Sequence, residues 1–222
     1  MFVVASVEIR RATGCRVHLG VEERPGLAAV RALGSNVPES SLRELRRSGA
    51  SELADVLSVE TAAEPFSAAS WEDPDHWIMP GEIGLGGRSL VAIHTPGHTK
   101  GHYVFDDRDS GLLFSGDHIL PHITPSIGFE LGPWGMPLGD YVDSLELTHR
   151  QPDRRLLPAH GAVTGSSRER AAELLQHHEH RFDEIVDELS PGAPSTAAGV
   201  AEKLPWGPGA DGRSLVSTRS TK

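Results

Sequence analysis

The segment HTPGHTKGH, residues 94–102, places three of the chain's twelve histidines within nine positions, and Pro96, Gly97 and Gly101 keep it out of a regular helix. Such a turn reads either as a polar loop in a His-rich chain or as part of a metal site, and a metal site needs further ligands from elsewhere. Two candidates stand out. FSGDHIL closes an apolar run on Asp117, and RRLLPAHG closes another just before His160. Imidazole together with carboxylate suits zinc, iron or manganese. A thiolate site is excluded, because the only cysteine, Cys15, lies far from these positions in sequence.

These residues need elements to gather them. HYVFD (102–106) and LLFSG (112–116) flank the turn DRDSG and predict a hairpin. His98 just precedes its first strand and Asp117 just follows its second, so folding at the turn brings both to one sheet edge. If RRLLP (154–158) joins the same sheet and ends at that edge, His160 converges on them. EIGLGGRSLVAIHT predicts another hairpin around Gly86-Gly87. No helix follows those glycines, which argues against a phosphate-binding loop. Residues 82–165 are therefore expected to form a mixed sheet with covering helices.

Around this centre, VEIRRAT (7–13) reads as the end of a helix stopped at Gly14, with CRVHLG as a short strand after it. Residues 40–59 read as one helix with Leu42, Leu45, Leu53 and Val56 on one side, weakened by Gly49. A long irregular connection follows, carrying Pro65, Trp71, Pro74, Trp77 and Pro80, of the kind often used for function. Ser166 and Glu169 have capping-box spacing and open a helix whose apolar stripe runs Ala171, Leu174, Leu175, His178, Phe182, Ile185, Val186 and Leu189. Pro191 and Gly192 end it, TAAGVAEKLPW (196–206) forms a short helix, and 207–222 is a polar, flexible tail.

Thirty-one acidic against 21 basic residues give a formal charge of −10, which repels a nucleic-acid backbone unless basic residues cluster, and none do. One cysteine rules out an intrachain disulfide and suggests a reducing compartment. The apolar opening MFVVAS is interrupted by Glu8, Arg10 and Arg11, and no stretch approaches the ~20 apolar residues of a membrane span. A cytoplasmic protein with no membrane partner is expected.

Taken together, HTPGHTKGH, FSGDHIL and LLPAHG resemble the metallo-β-lactamase superfamily in order and spacing. GDHILPHITPSIGF, PLGDYVDSLE and the trailing HEHRF...LSPGAPSTAAGVAEKLPW resemble a narrower branch of hydrolases with a C-terminal winged helix, including β-lactamase-like endoribonucleases and some thioesterases. The resemblance spans most of residues 7–206. It implies an α/β fold, the αββα sandwich of that superfamily, with an incomplete catalytic domain over 1–165, a helix and partial winged-helix appendage over 166–206, and the tail beyond. It also implies metal ligation by His98, by Asp117 as the bridging carboxylate, and by His160, in a site for two zinc ions, or iron or manganese. His102 matches an orienting position beside the ligands. His118 and His122 are candidates for lining the cleft, and His94 is a strand-end residue without a role. His178 is expected to pack rather than bind metal. Metal-activated hydroxide would attack an ester, a thioester or an RNA phosphodiester.

The chain departs from the family pattern in one major respect. The signature HxHxDH, expected before residue 7, is absent. DPDH at 73–76 holds Asp75 and His76 but lacks the paired histidines. The resemblance therefore implies a truncated hydrolase of impaired activity. The alternative is a non-catalytic remnant that acts as a binding or scaffold protein. Missing early strands would leave an unpaired sheet edge and favour homo-oligomers. No DNA partner is expected of the acidic appendage.

Overall fold

A computed structural model describes residues 2–33, 37, 39–63, 66–128, 134–189 and 196–205. The short β-prone runs of the central region form strands β3 (Gly81–Gly84), β4 (Ser89–His94), β5 (Tyr103–Asp107), β6 (Leu112–Gly116) and β7 (Arg155–Pro158), which follow β1 (His18–Gly20) and β2 (His76–Ile78) in the chain. β3 to β7 lie side by side in sequence order as one five-stranded sheet, antiparallel from β3 to β6 and parallel between β6 and β7. The first hairpin turns where expected. Gly86 and Gly87 have φ of +55° and +97°, and the Leu85 N–H donates to Arg88 O at 2.6 Å, the geometry that matches the right-handed twist of paired strands.

A parallel β6–β7 pair requires a crossover, and helix α5 (Pro137–Arg150) supplies it. Pro137 stands at its first position, where a missing N–H costs nothing, and Tyr141, Ser144, Leu145 and Thr148 form its buried face. The next helix, α6 (Ser167–Glu188), is capped by Ser166, whose Oγ accepts the Glu169 N–H at 3.0 Å as the spacing predicts. α6 packs on α5. The core joins sheet and helices through Val104, Leu113, Ile119, Tyr141, Leu145, Leu156, Ala171 and Leu174. Burying each such leucine contributes about 1.5–3 kcal/mol. The predicted stripe of α6 holds only in its first half: Ala171, Leu174 and His178 are buried, whereas Phe182, Val186 and Leu189 are exposed. The helix simply extends past the core that its first three turns cover.

The amino-terminal part forms α1 (Phe2–Thr13), α2 (Arg24–Leu33), α3 (Glu39–Arg47) and α4 (Ser51–Ala62), with β1 paired in parallel to β2 as a separate two-stranded sheet. Gly14, at φ +71°, ends α1 as expected. The single helix expected over 40–59 is two helices. Gly49 takes φ +93° between them, where an added Cβ would meet Thr196, and the Ala198 N–H at the start of α7 (Ala197–Lys203) donates to Ser48 O at 2.9 Å. The break lets α7 dock against the corner. Val56 consequently points outward, at 45% exposure. The irregular connection 66–75 is a clasp. Arg10 and Arg11 pair with Glu72, Arg31 pairs with Asp73 at 2.9 Å, and Asp75 accepts the Val17 N–H at 2.7 Å. Asp75 is thus engaged in holding β1, as a structural buckle. The expected Pro191-Gly192 stop, Trp206 and the flexible tail lie outside the described residues.

Candidate metal centre

Three loops meet at the edge where β5 begins and β6 and β7 end. The loop 95–101 carries His98. It is closed by the Thr95 N–H to His102 O at 2.9 Å and by His94, whose Nε2–H donates to Lys100 O at 2.6 Å. Gly97, at φ +147°, lies so close to α5 that a Cβ would stand 2.6 Å from Tyr141 Cβ. The loop is also tied to the turn before α2: the Glu23 carboxylate accepts the Gly101 N–H at 3.0 Å and the Thr99 hydroxyl.

Asp117 follows Gly116 (φ +54°), and His160 follows Ala159, whose N–H donates to Gly116 O at 2.9 Å. The parallel strands β6 and β7 thereby deliver the two side chains next to each other. Asp117 Oδ1 is 3.3 Å from His160 Nε2, and Asp117 Oδ2 is 3.7 Å from His98 Nε2. Asp117 and His98 are well shielded at 13% and 15% side-chain exposure, whereas His160 is open at 61%.

One side of each imidazole decides what the other side can do. His98 Nδ1 lies 2.7 Å from Ser126 O, and a carbonyl only accepts, so Nδ1 carries the proton. In the neutral ring, Nε2 then presents a lone pair towards Asp117, the orientation a metal ligand requires. His102 takes the opposite tautomer. Its Nε2 accepts the Asp117 N–H at 3.1 Å, which leaves Nδ1–H to donate to Thr95 Oγ1 at 3.0 Å. His102 therefore grips the backbone that aims Asp117. Burial of its ring, with the neighbouring His118, His98 and His94, pushes its pKa down to about 3 and keeps it neutral.

His118 is not a cleft residue. It is fully buried, edge-on to Tyr141 at 5.5 Å between ring centroids, and the Tyr141 hydroxyl donates to His118 O at 3.1 Å. Thr148 Oγ1 gives its own proton to Ser144 O, so the 3.1 Å contact to His118 Nε2 is a donation from the imidazole. Burial pushes the His118 pKa down to about 3. His122 sits exposed on the loop that follows. His178 packs its buried ring against Tyr141 at 5.5 Å.

Several positioning residues have no signal of their own in the sequence. Arg170 on α6 holds the loop after Asp117 by donating to Leu120 O at 2.8 Å and Ile123 O at 3.3 Å. Glu23 and Tyr141 support the His98 loop from elements distant in sequence. Ser126 falls within GDHILPHITPSIGF and Tyr141 within PLGDYVDSLE, two stretches that carry the family resemblance.

Among the described residues, no group of three or more His, Cys, Asp or Glu side chains is arranged to hold a metal ion as it stands. The donor chemistry nevertheless fits a metal. Two donors at 2.0–2.2 Å from one ion in tetrahedral geometry stand roughly 3.4 Å apart, close to both carboxylate–imidazole separations here. Each oxygen of Asp117 faces a different imidazole.

Residues 8–181 match the metallo-beta-lactamase superfamily. The chain belongs to that superfamily. The mixed α/β fold agrees. Among curated relatives, the lactamase-like protein nscB of Neosartorya fischeri is 36% identical over 120 residues, covering 52% of this chain and 34% of its own length. The beta-lactamase-like protein 2 homolog of Caenorhabditis elegans is 32% identical over 136 residues, 59% of this chain and 43% of that protein. The metallo-beta-lactamase family protein TTHA1429 from Thermus thermophilus superposes with a TM-score of 0.68 at 26% identity, over 85% of this chain and 60% of that one. The chain thus spans between about a third and three fifths of the length of these relatives. None of its described helices is long and apolar enough to cross a membrane.

Proposed function

We propose that His98, Asp117 and His160 are metal ligands, with Asp117 shared between two zinc ions, and that the chain serves hydrolysis of an ester, thioester or phosphodiester. The observation that carries this reading is the placement of a separate imidazole against each oxygen of one shielded carboxylate. A bound divalent metal supplies a Lewis acid for the bond to be cut and a water of lowered pKa. The remaining work belongs to the chain itself. Ser126 O fixes the His98 tautomer, His102 fixes the Asp117 backbone, and exposed His160 leaves the site open to substrate on one side. Iron or manganese would suit the same nitrogen and oxygen donors.

Charge favours a small ester or thioester over RNA. The net charge is −10, and Arg10, Arg11, Arg31, Arg88 and Arg154 are each tied to carboxylates rather than offered to a phosphate backbone. The test is metal content after dialysis from zinc-containing buffer, followed by assay on the three substrate classes. Three ligands predict weak, substoichiometric uptake, and Asp117→Ala should lower it and abolish any hydrolysis. Uptake unchanged by Asp117→Ala would refute the assignment.

A further inference from the structure

We propose that His18 and His76 form a second transition-metal site, independent of Asp117, which clips β1 to β2. The two residues face each other directly in the parallel pair, His18 opposite His76, and both are exposed. Their ring centroids lie 5.0 Å apart with the planes tilted by 40°. An imidazole nitrogen bound at 2.0–2.1 Å puts its ring centroid about 3.2 Å from the ion, so two rings sharing one ion at a tetrahedral angle stand roughly 5 Å apart. The observed centroid spacing of 5.0 Å fits that geometry.

The backbone on either side holds this spacing. Asp75 N–H and His76 N–H both donate to Val17 O, at 2.8 and 3.3 Å, and Val17 N–H returns a bond to Asp75 Oδ2 at 2.7 Å. Strand-mounted ligands lose little freedom on binding, whereas a pair on mobile side chains must first be ordered. Asp75 Oδ2 also faces Arg10, and among the described residues no third His, Cys, Asp or Glu joins the pair to form a cluster. Two imidazoles with solvent at the remaining positions favour copper or nickel over magnesium or calcium. The other histidine cluster, on α6, is less suited. His178 is buried in the core, and His180 is engaged with Glu184 at 3.3 Å.

The experiment uses the full chain carrying His98→Ala and Asp117→Ala, so the centre described above contributes nothing. Titration calorimetry with nickel(II) should show one ion per chain. Adding either His18→Ala or His76→Ala should weaken binding at least about tenfold, since each removes one of two protein ligands. A residue-resolved readout avoids dependence on the variants' folding: in the unsubstituted chain, nickel should protect both His18 and His76 from carbethoxylation, read peptide by peptide. The proposal is overturned if nickel does not bind at millimolar concentration, if either substitution leaves binding intact, if His177→Ala removes it instead, or if neither histidine is protected.

Discussion

Replacing Gly97 by alanine is the sharpest probe of how the His98 loop is held. The residue has φ +147°, a region open essentially to glycine, and forcing a side chain there costs about 1–3 kcal/mol. The new Cβ would also stand 2.6 Å from Tyr141 Cβ, 2.7 Å from its Cδ2 and 2.8 Å from its Cα. Tyr141 is fully buried in the middle of α5, so its backbone cannot swing aside as a surface lysine would. Overpacking of this kind adds about 1–3 kcal/mol. The combined loss of about 2–6 kcal/mol is a large share of the 5–15 kcal/mol typical of a domain. With a urea slope of about 2 kcal/mol/M, denaturation should show the midpoint falling by about 1–3 M with that slope unchanged. Because Gly97 O also accepts the Gly128 N–H at 2.8 Å, the substitution should disturb the loop bearing Ser126 and reduce zinc uptake as well. A midpoint shift corresponding to less than about 0.5 kcal/mol would show that the loop is free to lift from α5, and would refute the close-packing argument.

Acid should weaken the fold through His118. Its ordinary pKa of 6.5 applies when unfolded and about 3 when buried, so between these values the unfolded chain binds more protons. Stability is therefore full above about pH 6.5 and falls as the pH drops towards 3, with a slope of up to about 1.4 kcal/mol per unit from this group. His118→Gln should flatten that limb in denaturation series between pH 7.5 and 4, and an identical slope in both proteins would contradict the assignment. Ser166→Ala should cost about 1 kcal/mol by removing the cap on α6. A thermal midpoint equal to that of the parent would show that Asp153, which accepts the Arg168 N–H at 3.0 Å, caps the helix unaided.

The convergence of His98, Asp117 and His160 is legible in the sequence because it follows from local signals: a glycine-turned hairpin and an apolar run that ends beside it. What escapes such a reading is set by distant residues. His118 follows a ligand candidate in sequence and resembles part of the same surface, yet Tyr141 and Thr148 of α5 enclose it. Gly49 reads as a weak point in one helix. It is a corner, because Thr196 approaches too closely for any side chain. The outer half of α6 misleads for a related reason, since periodicity reports an apolar stripe and not how far the opposing core extends.

The parallel pairing of β6 with β7 has a consequence for how this scaffold can change over time. Asp117 and His160 are neighbours because β7 pairs with β6, with the Ala159 N–H donating to Gly116 O, and α5 supplies the crossover between the two strands. The intervening stretch holds the core residues Ile119, Tyr141, Leu145 and Leu156 and the Ser126 carbonyl, but it also has an outer part. Its outer part can be lengthened, shortened or rewritten without moving either side chain, provided α5 still crosses the sheet and Ser126 still reaches His98. New substrate-contacting surfaces can therefore be tried beside an unaltered set of ligands, so diversification of what enters the site is uncoupled from preservation of the site itself.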